Sequence, residues 1–285
     1  MIHELKSILG LVEDPVVVKS MIREYLKNGS VGEDVISKRD LQKILKKHGI
    51  VQTAESKDDL SSTLSFLTYA CKPGVNLKTA YLKAQASGFN VNVSEINEVV
   101  SQIKNGKITR AGTALVVVPQ DYPDMILVGN DITTPDLVIG KFFGSLSLPM
   151  GYSELEENPL DQIKRVSQRE IWSEQTVQDS FPSDVLPKRP RPFMYIKIAH
   201  IGVECYFIKL PSRLCNPGLF SSSKLIGHKF VNAGGILAAK EIYRTGVKEI
   251  VTGYTELIRE LIVGYRVSPF IKTADINRRV MSTFV

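Results

Sequence analysis

"GYSELEENPLDQIKRVSQREIWSEQTV", residues 151–177, is the stretch on which the reading of the whole chain turns. Asn158 suits a helix cap and Pro159 a first helical turn, so the run from there to Val177 predicts one helix. On such a helix Glu170 and Glu174 stand at i and i+4 and share a face. Paired carboxylates suit a divalent cation, because Mg²⁺ takes a few carboxylate oxygens and keeps several waters. The same spacing also suits a solvent-facing helix that merely carries charges.

Around this stretch the texture is that of a mixed sheet between helices. "GTALVVVPQDYPDMILVGND" (112–131) holds two β-rich runs about a turn and predicts a hairpin. "FFGSLSLPMG" (142–151) is a short extended piece, and "FMYIKIAHIG" (193–202) and "VECYFIKLP" (203–211) are two more strands. "NPGLFSSSKLIGHKF" (216–230) has the composition of a loop, and "GILAAKEIYRTG" (235–246) and "TELIRELIVGY" (255–265) are helical. The first hundred residues predict five helices with short turns. Asp14 caps the first, Pro15 opens it and Gly29 lies past its end. Ser56 with Asp59 forms a capping-box variant for the third. The expected organisation is a helical N-terminal domain over 1–107 and an α+β domain over 108–285, whose last part is basic.

From the strand into the helix, residues 108–265 resemble the Nudix hydrolase family. That family's signature runs Gly, five residues, Glu, seven residues, Arg-Glu-aliphatic-x-Glu-Glu-x-Gly-aliphatic, often after a strand that ends Leu-Pro-Gly-Gly. Pro149 and Gly151 match the lead-in, with Met150 in place of its first glycine, and five residues separate Gly151 from Glu157. Arg169, Glu170, Ile171, Glu174 and Val177 match the second half, with Ser173 in place of one glutamate and Thr176 in place of the glycine. In this alignment eleven residues lie between Glu157 and Arg169, an insertion of four, about one helical turn. The resemblance implies that Arg169 pairs with Glu157 to brace a loop–helix–loop. It also implies that Glu157, Glu170 and Glu174 hold Mg²⁺ or Mn²⁺, with Glu170 and Glu174 serving as ligands or base beside Arg169. The implied chemistry is hydrolysis of a nucleoside diphosphate derivative or an RNA 5′ end, in which the metal neutralises diphosphate charge and polarises water. The alternative is a catalytically degenerate Nudix-like protein that binds RNA or serves as a structural subunit of a nucleoprotein or viral assembly.

Charge is distributed unevenly. Residues 109–185 carry 5 Lys or Arg against 12 Asp or Glu, and residues 186–285 carry 16 against 6. An acidic middle beside a basic final third suits carboxylates that hold cations and basic side chains that hold phosphates. "KRPRP" (188–192) places Lys188, Arg189 and Arg191 together as candidates for nucleotide or RNA phosphates. Lys43, Lys46 and Lys47 could meet an acidic protein partner, so assembly through the N-terminal helices is a second expectation. Tyr195 and Tyr206 are strand residues that pack or stack, and Glu204, Glu256 and Glu260 are outside sources of a further carboxylate. His200 and His228 have no neighbour at zinc spacing, and Ser221–Ser223 lack a nucleophile elbow. Cys71, Cys205 and Cys215 suit reduced thiols. "MIHELKSILG" lacks a signal peptide's pattern and no run is long enough to span a bilayer, so cytosol or an intracellular particle is expected.

Overall fold

The computed structural model describes residues 14–284 apart from 33–35, 53–59, 87, 133–135, 138–139, 142–143, 155, 240–242 and 265–267. The opening decapeptide and the Ser56–Asp59 cap lie outside the described residues.

Five helices come first: α1 (Pro15–Asn28), α2 (Lys38–Lys47), α3 (Leu60–Ala70), α4 (Leu77–Ala86) and α5 (Val93–Lys104). Asp14 caps α1 by accepting from Val16 N, and Gly29 ends it at φ 77°, where glycine carries no Cβ penalty. The two sides of residue 107 do not keep separate cores. Apolar residues of α3–α5 pack into one cluster with the sheet, whereas α1 and α2 form a small core of their own that takes in Val177.

The strands are β1 (Arg110–Pro119), β2 (Met125–Asp131), β3 (Ser145–Ser147), β4 (Met150–Ser153), β5 (Met194–Ile198), β6 (Ile201–Leu210), β7 (Leu225–Asn232) and β8 (Phe270–Thr273). A further two-residue ladder joins 136–137 to 140–141. Helices α6 (Pro159–Glu170), α7 (Ser173–Val177), α8 (Ala233–Ala238), α9 (Val247–Ile262) and α10 (Asp275–Thr283) complete the chain. A mixed five-stranded sheet has the order β8-β5-β6-β1-β4, and a smaller antiparallel one the order β3-β2-β7. In the large sheet β1 runs parallel to β6 and antiparallel to β4. β1 is buried on both faces: Ala114, Val116 and Val118 join one core and Leu115 and Val117 the other. A strand with no solvated face needs the continuous apolar run "TALVVV" (113–118) rather than alternation. Ile163 and Val166 of α6 fill the second core. The result is a mixed α+β fold with helices on both faces of the sheet.

Four expectations change here. The helix expected over 235–246 ends at Ala238, and Tyr243 is bridged to Leu146. The two runs of 112–131 are not a hairpin, because β1 and β2 enter different sheets. Residues 225–230, expected as loop, belong to β7, which pairs with β2. The helix expected from 159 to 177 breaks at Ile171 and Trp172. There the backbone leaves the helix for a strand-like bridge: Ser221 N donates to Ile171 O and Ser173 N to Ser221 O. Burial drives the break, since both side chains enter the core at 1% exposure or less.

Candidate functional site

The break separates the two glutamates on which the sequence reading relied. Glu174 stands on α7, and its half-exposed carboxylate accepts from Arg23 Nη2 of α1 at 3.0 Å and from Gln178 at 3.2 Å. Glu157 turns to α6, where Arg165 grips it through Nε at 3.2 Å and Nη2 at 2.6 Å. Arg165 also donates to Tyr152 O and is 2% exposed. Gln162 joins the same loop, donating to Glu157 O at 3.1 Å and receiving the Thr113 hydroxyl at 2.9 Å.

Arg165, not Arg169, is therefore the brace, and the insertion disappears. Seven residues separate Glu157 from Arg165, as the signature requires. In this register the first carboxylate position after the arginine is Val166, the paired positions are Arg169 and Glu170, and Trp172 takes the place of the glycine. A Gly-loop-Glu bound to the arginine of the following helix, set against a mixed sheet, is the arrangement the resemblance implied. The fold is Nudix-like.

Comparisons with known proteins give distant likenesses only. No known family's profile matches the sequence, and no curated protein matches it. Among solved structures, an ADP-ribose pyrophosphatase from Streptococcus suis is 12% identical, with TM-score 0.36 over 57% of this chain and 98% of that one. A mutT/nudix family protein from Listeria innocua is 11% identical, with TM-score 0.39 over 55% and 98%. The C-terminal domain of mouse MUTYH, from its complex with human PCNA, is 17% identical, with TM-score 0.35 over 53% and 90%. Likeness of this degree says nothing about activity.

Of the three expected metal ligands, only Glu170 faces a cavity of the Nudix-like unit. The cavity, about 80 Å³, is lined by Glu170, Asp131, Lys224, Arg244, Ser145 and apolar side chains that include Leu64 of α3. Lys224 Nζ lies 3.8 Å from Glu170 Oε1, and Arg244 Nη1 bonds Asp131 Oδ2 at 3.2 Å. Burial pushes the Glu170 carboxyl above its usual range, against the pull of Lys224, Arg169 and Arg244. Its backbone carbonyl faces His228 Nε2 at 2.9 Å, and burial holds that imidazole below its ordinary value.

Glu157, Glu170 and Glu174 are thus not brought together, and among the described residues no group of three His, Cys, Asp or Glu is placed to hold a metal. The donor set does not suit Mg²⁺ or Mn²⁺, which need uncommitted carboxylate oxygens. Each carboxylate in the cavity already faces a lysine or arginine, and Glu157 is spent on Arg165. Two of the three outside carboxylates are also engaged: Glu204 accepts from Tyr206 at 2.5 Å and Glu256 pairs with Lys272 at 2.6 Å.

Arg165 was findable, by counting seven residues from Glu157. Asp131, Ser145, Lys224 and Arg244 were not, because they arrive from separate strands and loops and share no local pattern. Lys188, Arg189 and Arg191 are exposed on the connector before β5. No ion pair engages them among the described residues, in contrast to Arg213, which pairs with Asp184 at 2.5 Å. Among the described residues no helix is long and apolar enough to cross a membrane.

Proposed function

We propose that this chain is a Nudix-fold protein that has given up hydrolysis and works by binding phosphate-bearing ligands, RNA in particular. One observation carries the reading. Of the three acidic positions that follow the brace arginine, Val166 and Arg169 occupy two, and the survivor, Glu170, is buried beside Lys224. Diphosphate cleavage needs cations gathered on carboxylates to neutralise charge in the transition state. A site whose carboxylates are matched by lysine and arginine has little negative potential left to gather them. The spare positive charge lies elsewhere, on Lys188, Arg189 and Arg191. Cations of this kind bind backbones without reading sequence.

The test pairs two assays on the full chain. Capped RNA, dinucleotide polyphosphates and nucleotide sugars are incubated with Mg²⁺ or Mn²⁺, and no turnover is expected. Binding of single-stranded RNA is measured from low to moderate salt, and a steep fall in affinity is expected from counterion release. Metal-dependent turnover lost in Glu170→Gln would overturn the first half. RNA affinity indifferent to salt would overturn the second.

A further inference from the structure

Trp172 is the single tryptophan of the chain and stands where the signature has its glycine. It lines a surface cavity of about 360 Å³ together with Phe181, Leu214, Leu219, Asp184 and Arg213. Phe181 meets the indole edge-on, with centroids 5.9 Å apart and planes at 80°. Two observations point to a ligand. The indole Nε1 is buried and has no hydrogen-bond acceptor, although Trp172 is only 1% exposed. On the rim, a guanidinium and a carboxylate sit side by side, more than half exposed, and present donors and acceptors together.

We propose that this cavity receives one nucleobase of single-stranded RNA whose backbone runs over Lys188, Arg189 and Arg191. The site rests on the RNA reading of that connector and adds base contact to it. Leu186 packs in the same cluster as Trp172 and Phe181, and Lys188 follows two residues later, within about 7 Å of chain. In the proposed complex one nucleotide spans both features. A planar base suits the aromatic wall and the flat guanidinium of Arg213. The rim's donor and acceptor match the mixed edge of a base. An extended peptide would meet the same wall, but would leave the three neighbouring cations without phosphates.

The single tryptophan makes the test direct. The full chain is titrated with a single-stranded oligouridylate and with inorganic polyphosphate of equal charge, and Trp172 emission is followed beside binding. RNA is expected to bind about five- to 150-fold tighter than polyphosphate, the range of one stacked base, and alone to alter Trp172 emission. Phe181→Ala should bring RNA down to the polyphosphate level and leave polyphosphate binding unchanged, which also certifies its fold. Phe181→Tyr should restore the difference. Equal binding of RNA and polyphosphate with silent Trp172 emission overturns the base site and spares the phosphate reading. Binding of neither overturns both. An acidic or proline-rich peptide that alters Trp172 emission where RNA does not would make this a peptide groove and overturn the proposal.

Discussion

Replacing Arg165 should be the most costly single change in the Nudix-like unit. Arg165→Met keeps the bulk of the side chain and removes the guanidinium. Three hydrogen bonds go with it, two to Glu157 and one to Tyr152 O. Glu157 is only 14% exposed, so it is left as a poorly solvated carboxylate without its partner. Breaking a buried pair from one side costs roughly 3–5 kcal/mol. At about 2–4 °C per kcal/mol for a chain of this order of size, the melting temperature should fall by roughly 6–20 °C. Glu157→Gln should cost less, because an amide can still accept from Arg165. A double-mutant cycle read by urea denaturation then separates the two arginines. Arg165 and Glu157 should couple by about 2 kcal/mol or more, and Arg169 and Glu157 by less than about 0.5. Strong coupling of Arg169 to Glu157, or an Arg165→Met chain within about 1 kcal/mol of the parent, would refute the register assigned to the helix.

Four other outcomes follow from local geometry. Glu170→Gln should be at least as stable as the parent at neutral pH. A carboxyl raised by burial contributes stability below its ordinary value of 4.5 and loses it as pH rises, so the variant's advantage should shrink on acidification, as urea midpoints will show. His200 behaves in the opposite sense. Burial, with Arg110 nearby, lowers its pKa from 6.5 to about 4, so the stability it supports above 6.5 drains away as pH falls through that window, and His200→Gln should flatten this part of the profile. Gly253→Ala should destabilise by about 1–3 kcal/mol in thermal melts despite its gain in helix propensity, because a Cβ there would lie 2.5 Å from Met194 Sδ. Glu174→Gln should change stability by no more than about 1 kcal/mol and leave RNA binding intact, since its pair with Arg23 lies at the surface.

What could be read from the chain was whatever depends on near neighbours. The caps at Asp14 and Asn158 and the left-handed glycine at 29 are local devices, and each appears where the sequence places it. The loop leading from Pro149 and Gly151 into α6 was legible for the same reason. The break at Ile171–Trp172 was not, because the core that buries both side chains, and the Ser221 backbone fifty residues later that takes up the freed polar groups, come together only in the fold. A continuous helix was the locally sound expectation, and it carried Glu174 into the site and set the register four residues late. The partition of β1 and β2 into different sheets was hidden in the same way, since each is apolar enough for either neighbour. The cavity around Glu170 takes its lysine, arginine and second carboxylate from three distant segments, so only the assembled fold brings them into one place.

The pairing at the centre of the large sheet also sets the order in which the chain can be assembled. Arg110 lies beside Ile201, and the register then runs in parallel to Pro119 beside Leu210. During synthesis β1 therefore emerges long before the strand that covers its flank. Its other neighbour, β4, is short and pairs over four residues only. Until residue 210 has been made, the most apolar strand of the protein has one long edge unpaired. The helices ahead of it form from local contacts and need no such wait. A nascent chain halted shortly before β6 should thus be the species most prone to aggregate and most in need of a chaperone.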